Sequence, residues 1–137
     1  MPELLFVYGT LKKGFYNEST IRASNGVLLG EFETIQPYGL YSIGAYPAAW
    51  HEGKDNIRGE VYTVADLRRT DWLEGYPDQY TRVKTKVRSR NNTKFTVDAW
   101  MYFLNPVFND KPPQTNLISG GEWKSEDLHY FVGGRES

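Results

Sequence analysis

The chain has 137 residues, of which 39% are hydrophobic and 24% charged. This predicts one folded domain over residues 1–137 and excludes a disordered chain or a membrane-spanning helix, because no apolar run approaches the roughly 20 residues that a bilayer requires. Sixteen Lys and Arg against 17 Asp and Glu leave a formal charge of −1, so we expect neither nucleic acid nor a membrane as a partner. The absence of cysteine excludes disulfides and a thiol nucleophile, and without a basic leader segment the predicted location is cytoplasmic.

The first predicted elements are strands separated by turns. The apolar run Leu4–Tyr8 is closed by Gly9, and its length and composition are typical of a buried strand followed by a loop over residues 9–16. Asn25-Gly26 indicates a tight turn. Three further strands are predicted over Val27–Ile35, with Gly30 as a candidate bulge, over Gly39–Ile43 and over Ile57–Val64.

A short helix is predicted after the strand that ends at Val64. Leu67 and Leu73 follow Val64 at a spacing that places all three on one helical face. The sequence Gly75-Tyr76-Pro77 ends this helix, because glycine favours a C-terminal cap and proline cannot continue the hydrogen-bonding pattern. Glu74 is therefore predicted to be the last helical residue.

From Tyr80 onward the side chains alternate with period two and predict a hairpin with its turn at Asn91-Asn92. The first strand directs Val83, Thr85 and Val87 to one face and basic residues to the other, where Arg82, Lys84, Lys86 and Arg88 are continued by Arg90 and Lys94. Such a stripe is able to follow a nucleic-acid backbone. We favour the more common interpretation, a solvated strand face whose charges guard against edge pairing.

The return strand of the hairpin is apolar on both faces, which is typical of a central strand. One face carries Phe95, Val97, Ala99, Met101 and Phe103, and the other carries Thr96, Asp98, Trp100, Tyr102 and Leu104. Many strands with one or two short helices predict an α+β domain, and closure of the sheet would remove its exposed edges. The predicted fold is a small, mixed but mainly antiparallel β-barrel-like core with flanking short helices.

Few patterns in the chain are able to carry chemistry. His51 and His129 lie far apart and neither has a metal ligand at the usual spacing, so no metal site is predicted. The glycine motifs of P-loops, dinucleotide sites and serine-hydrolase elbows are absent from the sequence. Two features remain. One is the loop Tyr8-Gly9-Thr10-Leu11, whose backbone N–H groups are able to approach an anion, and the other is Glu74.

Glu74 is predicted to lie at the negative end of the helix dipole, among the aromatic side chains of Trp72, Tyr76 and Tyr80. Both surroundings disfavour the anion and would raise the pKa of its carboxyl group. A carboxylate of this kind suits a general base that takes and returns protons near neutral pH. The alternative interpretation is a solvated glutamate at the end of a helix.

Two sequence blocks resemble motifs of the γ-glutamylcyclotransferase-like family. The family's Tyr-Gly-Ser/Thr-Leu loop after the first strand corresponds to Tyr8-Gly9-Thr10-Leu11, and its Leu-Glu-Gly-x-Pro-x-x-Tyr-x-Arg block corresponds to Leu73–Arg82. Weaker agreements follow in the family's order at Leu40–Pro47, Gly59–Tyr62, Ala99–Tyr102 and Gly120–Trp123. The resemblance therefore extends over nearly the whole chain.

This resemblance implies a barrel-like core, a pocket at the Tyr8–Leu11 loop, and no metal or organic cofactor. It implies that Glu74 is the catalytic acid/base and that backbone groups of the loop bind the α-carboxylate and carbonyl of the substrate. The residues that it implies for substrate binding are Tyr8, Gly9, Thr10, Leu11, Tyr46, Pro47, Tyr80 and Tyr102.

The reaction implied by the resemblance is intramolecular. The α-amine of a γ-glutamyl group attacks its own γ-carbonyl, which releases an amine or amino acid and leaves 5-oxoproline. No water and no protein nucleophile are required, so the enzyme would be a cofactor-independent acyltransferase or lyase. The expected partner is a small γ-glutamyl substrate, with amines and dipeptides ranked before γ-glutamyl-ε-lysine isopeptides. The alternative is a non-catalytic small-molecule-binding domain that uses the same pocket, and no signal for an oligomeric state is present.

Overall fold

A computed structural model gives the fold and describes residues 2–9, 11–12, 17–42, 47–107 and 117–123. The elements in chain order are β1 (Glu3–Val7), α1 (Glu18–Ala23), β2 (Val27–Thr34), β3 (Tyr38–Ser42), β4 (Pro47–Asp55), β5 (Arg58–Val64), α2 (Arg68–Glu74), β6 (Tyr80–Ser89) and β7 (Thr96–Leu104). Neither of the helices in these ranges is long and apolar enough to cross a membrane.

Five strands form a closed barrel in the order β1-β5-β2-β6-β7. All neighbouring pairs are antiparallel except β1 and β7, which run parallel where Leu5 lies opposite Trp100. Strands β3 and β4 form a separate two-stranded antiparallel sheet. The prediction of a mixed, mainly antiparallel barrel with short helices is therefore confirmed.

The alternation of side chains divides the core into two layers. The interior layer takes members from all five barrel strands, including Phe6, Phe32, Val61, Val87 and Met101. The outer layer combines the other faces of β1, β5 and β7 with side chains from both helices and from β4. Because β1 and β7 contribute to both layers, the two runs that are apolar on both faces lie where the sequence predicts.

Several elements differ from the prediction. Helix α1 and strand β4 were not predicted, because α1 buries one side chain, Ile21, and β4 is interrupted by exposed polar residues after Trp50. Only glycine fits at position 53 of β4, because a Cβ atom there would lie 2.3 Å from the backbone of Tyr38, closer than any side chain allows. Val83, predicted to point inward, is 50% exposed because β6 pairs with β2 only beyond it, at Val87–Ser89.

The predicted bulge and turn in the first half of the chain are confirmed. The register between β2 and β5 shifts between Leu28 and Gly30, and Gly30 has a φ of 149° that favours glycine. Asn25 adopts a positive φ of 58° in the turn before β2. These two positions set the path by which the chain leaves α1 and enters the barrel.

Candidate active site

Glu74 is the last residue of α2 and is 1% exposed. Gly75 caps the helix in the left-handed conformation, with a φ of 67°, and the N–H of Tyr76 donates to the carbonyl of Asp71. Thr70 and Glu74 are the buried residues of the helix and lie one turn apart on the same face. The predicted position of Glu74 at a buried helix end is confirmed.

The aromatic surroundings of Glu74 differ from those predicted. Trp72 is 77% exposed, so its side chain does not shield the carboxylate from water, and the ring of Tyr76, 37% exposed, packs against the guanidinium of Arg82. Trp72 lies on the opposite face of the helix from Glu74, because residues that are two positions apart in an α-helix are separated by about 200° around its axis. Tyr80, at the start of β6, is fully buried. Burial of Glu74 therefore comes from docking of α2 on the barrel.

The loop after β1 is also buried. Tyr8, Gly9, Leu11 and Lys12 are all shielded from solvent, and the N–H of Lys12 donates to the carbonyl of Gly9 at 3.0 Å, which closes a turn. The ammonium of Lys12 donates to the carbonyl of Trp123 at 2.5 Å, so this loop also holds the chain at Trp123. The turn follows β1 directly, as the sequence predicts.

Tyr102 on β7 connects this loop to helix α2. The hydroxyl of Tyr8 donates to the backbone carbonyl of Tyr102 at 2.9 Å and accepts a hydrogen bond from the N–H of Ala49 at 3.3 Å. The hydroxyl of Tyr102 lies 2.5 Å from Asp71 Oδ1 and 2.8 Å from Thr70 Oγ1, both on α2. One residue thus contacts both candidate features, the loop through its backbone and the helix through its side chain.

The environment of Tyr102 favours its neutral form. Burial is the main cause that raises the pKa of the Tyr102 hydroxyl, followed by its hydrogen bond to the Asp71 carboxylate, and the negative charge of Glu74 contributes to the same shift. The Tyr102 hydroxyl therefore keeps its proton throughout the neutral range.

The remaining predicted binding residues fall into two groups. Leu11, Tyr80 and Tyr102 pack in the same outer layer, and Pro47 is buried at the start of β4, opposite Ser42. Thr10 and Tyr46 lie outside the described residues. The structure therefore joins Tyr8 to Tyr102 by a hydrogen bond and packs Leu11 and Tyr80 in the same layer as Tyr102, while Glu74 is buried at the end of α2.

Two residues of this region, Asp71 and Arg82, were not among the predicted site residues. Arg82 Nε and Nη2 donate to the two carboxylate oxygens of Asp71 at 2.8 and 3.1 Å. The hydrogen bond to Asp71 is the main cause that raises the pKa of the Arg82 guanidinium. A signal was available in the sequence, because Arg82 ends the same block that contains Glu74.

The basic stripe on β6 is largely balanced by carboxylates. Four of its residues form ion pairs, Arg82 with Asp71, Lys86 with Asp98, Arg88 with Glu33 and Arg90 with Glu31. Strand β6 lies between β2 and β7 in the barrel, so the charges do not guard a free edge as predicted. Three of the pairs instead join neighbouring strands, and the fourth, Arg82 with Asp71, joins β6 to helix α2.

A groove of about 630 Å³ lies between α1 and α2, lined by Ser19, Thr20, Ala23, Arg68, Arg69, Trp72 and Leu73. Glu74 and the Tyr8 loop are not among its lining residues, so it is distinct from the region around Glu74. Within the described ranges no three His, Asp or Glu side chains converge in a way that could hold a metal ion.

Comparison with known proteins gives the family. The family described as Gamma-glutamyl cyclotransferase, AIG2-like matches residues 5–125. A Vibrio cholerae relative is 38% identical over 125 residues, which cover 90% of this chain and 96% of that protein. The gamma-glutamylcyclotransferase family protein YtfP of Escherichia coli K12 is 35% identical over 128 residues, covering 90% of this chain and 97% of YtfP.

A solved structure shows the same fold. The crystal structure of an AIG2-like protein from Mus musculus superimposes with a TM-score of 0.79 at 24% identity, covering 99% of this chain and 98% of that chain. The likeness supports the closed barrel, the two short helices and the order of the elements. The matches in sequence, together with the buried glutamate at the end of α2, show that this chain belongs to the γ-glutamyl cyclotransferase, AIG2-like family.

Proposed function

We propose that this protein is a cyclotransferase that acts on γ-glutamyl amines or γ-glutamyl amino acids and releases 5-oxoproline and the free amine. The observation that carries the proposal is the burial of the Glu74 carboxylate, 1% exposed, at the end of a helix that Tyr102 connects to the Tyr8 loop. Buried carboxylates are uncommon because ionisation away from water is costly. One held at the negative end of a helix is suited to exchange protons.

The reaction needs one proton carrier and no protein nucleophile. The neutral α-amine of the substrate attacks the γ-carbonyl carbon, forming a new C–N bond and a tetrahedral oxyanion. Glu74 accepts the proton that the attacking nitrogen loses, and then donates it to the departing nitrogen as the old C–N bond breaks. Atoms and protons balance, because the substrate is converted to 5-oxoproline and an amine without water. A general base of this kind typically contributes about 10²–10⁴-fold in rate.

The Tyr8 loop supplies the other requirements. The γ-glutamyl chain is flexible, and cyclisation requires the amine to be held against the carbonyl carbon. Backbone N–H groups of a glycine turn are suited to bind the α-carboxylate and to stabilise the developing oxyanion. Gly9 serves this role because it has no side chain between the backbone and the substrate.

The proposal is tested by incubating the full chain with a panel of γ-glutamyl amines, γ-glutamyl amino acids and γ-glutamyl-ε-lysine, with 5-oxoproline measured by mass spectrometry. We expect enzyme-dependent 5-oxoproline in equal amount to the released amine. The matched control is the Nα-acetyl form of the best substrate, whose blocked amine cannot cyclise. Binding of the panel by calorimetry without any turnover would contradict the proposal and favour the non-catalytic binding domain.

A further inference from the structure

Asp71 lies one turn before Glu74 on α2 and is held from two sides by the barrel. Arg82 on β6 donates two hydrogen bonds to its carboxylate, at 2.8 and 3.1 Å. Tyr102 on β7 approaches the same carboxylate at 2.5 Å. Because a carboxylate only accepts hydrogen bonds, the single proton of the Tyr102 hydroxyl points to Asp71. The hydroxyl of Thr70 lies 2.8 Å from the tyrosine oxygen and donates its own proton to the carbonyl of Leu67.

The guanidinium of Arg82 is itself held in place by two rings. Its central carbon lies 4.5 Å from the centre of the Tyr76 ring and 4.6 Å from that of the Trp100 ring. Both side chains of the Arg82 and Asp71 pair are about one-fifth exposed, at 18% and 21%. Stacking on aromatic rings orients the planar group so that both donors reach one carboxylate. The pair therefore has one defined geometry.

Helix α2 depends on these contacts for its position. It has only seven residues, and although Asp66 Oδ1 accepts a hydrogen bond from the N–H of Arg68 at its start, its internal hydrogen bonds are too few to stabilise it alone. Its C-terminal turn carries both Asp71 and Glu74. A shift of this turn relative to β6 and β7 would move the Glu74 carboxylate relative to the Tyr8 loop by a similar distance.

We propose that Asp71, Arg82 and Tyr102 are positioning residues that hold the last turn of α2 so that the Glu74 carboxylate stays in register with the Tyr8 loop. This inference rests on the proposed function. In this proposal the Tyr102 hydroxyl holds helix α2 through Asp71, and the backbone carbonyl of Tyr102 holds Tyr8. The Tyr8 loop and Glu74 are then aligned with each other through Tyr102 on β7.

The chain offers a matched control for each substitution. Asp71→Asn weakens an ion pair in which arginine donates twice, and Glu33→Gln weakens a comparable pair with Arg88 at the far end of β6. Tyr102→Phe removes a buried hydroxyl, and Tyr38→Phe removes another, which bonds Thr85 in the barrel at 2.9 Å. Each pair of variants differs mainly in whether the lost contact reaches α2.

The first measurement is the steady-state kinetics of the parent protein and these four variants. The substrate is a compound that the parent protein converts, and the temperature is kept below the unfolding temperature of every variant. We expect Asp71→Asn and Tyr102→Phe to lower kcat by about 10- to 100-fold with KM nearly unchanged, because a displaced base loses rate while the binding loop is intact. The two controls should keep the parent kcat. If Asp71→Asn does not fold, Tyr102→Phe carries the test, and an unchanged kcat in a folded Tyr102→Phe variant would overturn the proposal.

The second measurement does not require turnover. The side-chain carboxyl ¹³C resonance of Glu74 is identified by its absence in Glu74→Gln and is followed against pH in each variant. We expect its shift and titration midpoint to move in Asp71→Asn and Tyr102→Phe and to stay in Glu33→Gln and Tyr38→Phe. Identical titrations in all variants would overturn the positioning role. A parent protein that converts no substrate but shows these differences would refute the proposed function alone.

Discussion

Strand β6 carries an arginine–carboxylate pair near each of its ends, and the two pairs differ in geometry: Arg82 donates to both oxygens of Asp71, whereas Arg88 donates twice to Oε2 of Glu33. Arg82 meets Asp71 at 2.8 and 3.1 Å, and Arg88 meets Glu33 at 2.9 and 3.2 Å. The second pair joins β6 to the neighbouring strand β2, where Arg88 lies opposite Glu33 in the sheet register. The first pair joins β6 to helix α2, which is not a member of the sheet.

The surroundings of the two pairs explain their different importance. The Arg82 pair is flanked by two aromatic rings and shares its carboxylate with the Tyr102 hydroxyl. The Arg88 pair is more open, with 35% of the arginine side chain exposed, and Glu33 has a second, longer contact to Arg58 at 3.9 Å. The Arg88–Glu33 pair thus reinforces a register that the sheet has already set. The Arg82–Asp71 pair determines the position of helix α2.

The largest expected effect is a loss of activity when Glu74 is substituted, compared with a substitution of Glu33 near the other end of β6. Glu74→Gln should lower cyclotransferase activity by about 10²–10⁴-fold, because glutamine keeps the size of the side chain but cannot accept the proton. Its thermal stability should be unchanged or slightly higher, since a neutral amide avoids burying a charge at the helix end. Activity is measured by 5-oxoproline release and stability by thermal unfolding, with Glu33→Gln as the active control. Parent activity in Glu74→Gln would refute the acid/base assignment.

The next effect compares the stabilities of the two pairs. Asp71→Asn should lower the free energy of unfolding by about 2 kcal/mol, since it weakens charge-assisted hydrogen bonds to both Arg82 and Tyr102. Glu33→Gln should cost about 1 kcal/mol or less, because its pair is more accessible to water and the sheet register persists. Urea unfolding of both variants gives the difference. Equal losses would show that the network around Asp71 adds nothing to a simple ion pair.

A smaller effect is expected at alkaline pH. The pKa of Tyr102 is raised above its ordinary value of 10.0 by burial and by the bond to Asp71. The unfolded chain therefore releases this proton before the folded protein does, so this contribution to stability is complete below pH 10 and decreases as the pH rises further. Denaturant unfolding between pH 8 and pH 11 should show a steeper loss in the parent than in Tyr102→Phe. Parallel curves would contradict the raised pKa.

The smallest effect is expected for the exposed pair in the middle of β6. Lys86 and Asp98 lie 3.1 Å apart with more than half of each side chain exposed, at 57% and 61%. Asp98→Asn should change the free energy of unfolding by no more than about 0.5 kcal/mol and leave activity unchanged. Unfolding at low and high salt measures this contribution. A loss comparable to that of Asp71→Asn would remove the distinction between the two ends of the strand.

The barrel and the helix end were predictable from local sequence signals. The alternation in β7 and the double apolar character of β1 indicate strands buried on both faces, and Gly75 with Pro77 indicates where α2 ends. These features depend on neighbours within a few positions of each other. Helix α1, with a single buried residue, has no such periodic signal and is stabilised by contacts with distant parts of the chain.

The network around Asp71 was not predictable by the same means. Asp71, Arg82 and Tyr102 come from a helix and two strands, and their contacts join positions 11 and 31 residues apart. In the sequence, Arg82 is one of sixteen lysines and arginines and Tyr102 one of ten tyrosines. The motif block that ends at Arg82 and the family resemblance that implies Tyr102 single these two residues out, but only the fold shows that both contact Asp71. The expected shielding by Trp72 was wrong for a related reason, since the direction of a side chain on a short helix depends on how the helix docks.

The central claim is that the substrate supplies its own nucleophile and that Glu74 only moves a proton. The most direct test is turnover of the γ-glutamyl panel in water enriched in ¹⁸O, with products analysed by mass spectrometry and Glu74→Gln as the blank for spontaneous cyclisation. The account predicts 5-oxoproline without solvent oxygen, formed in equal amount to the free amine and only by the parent protein. Glutamate that carries ¹⁸O, or the absence of any turnover, would contradict it.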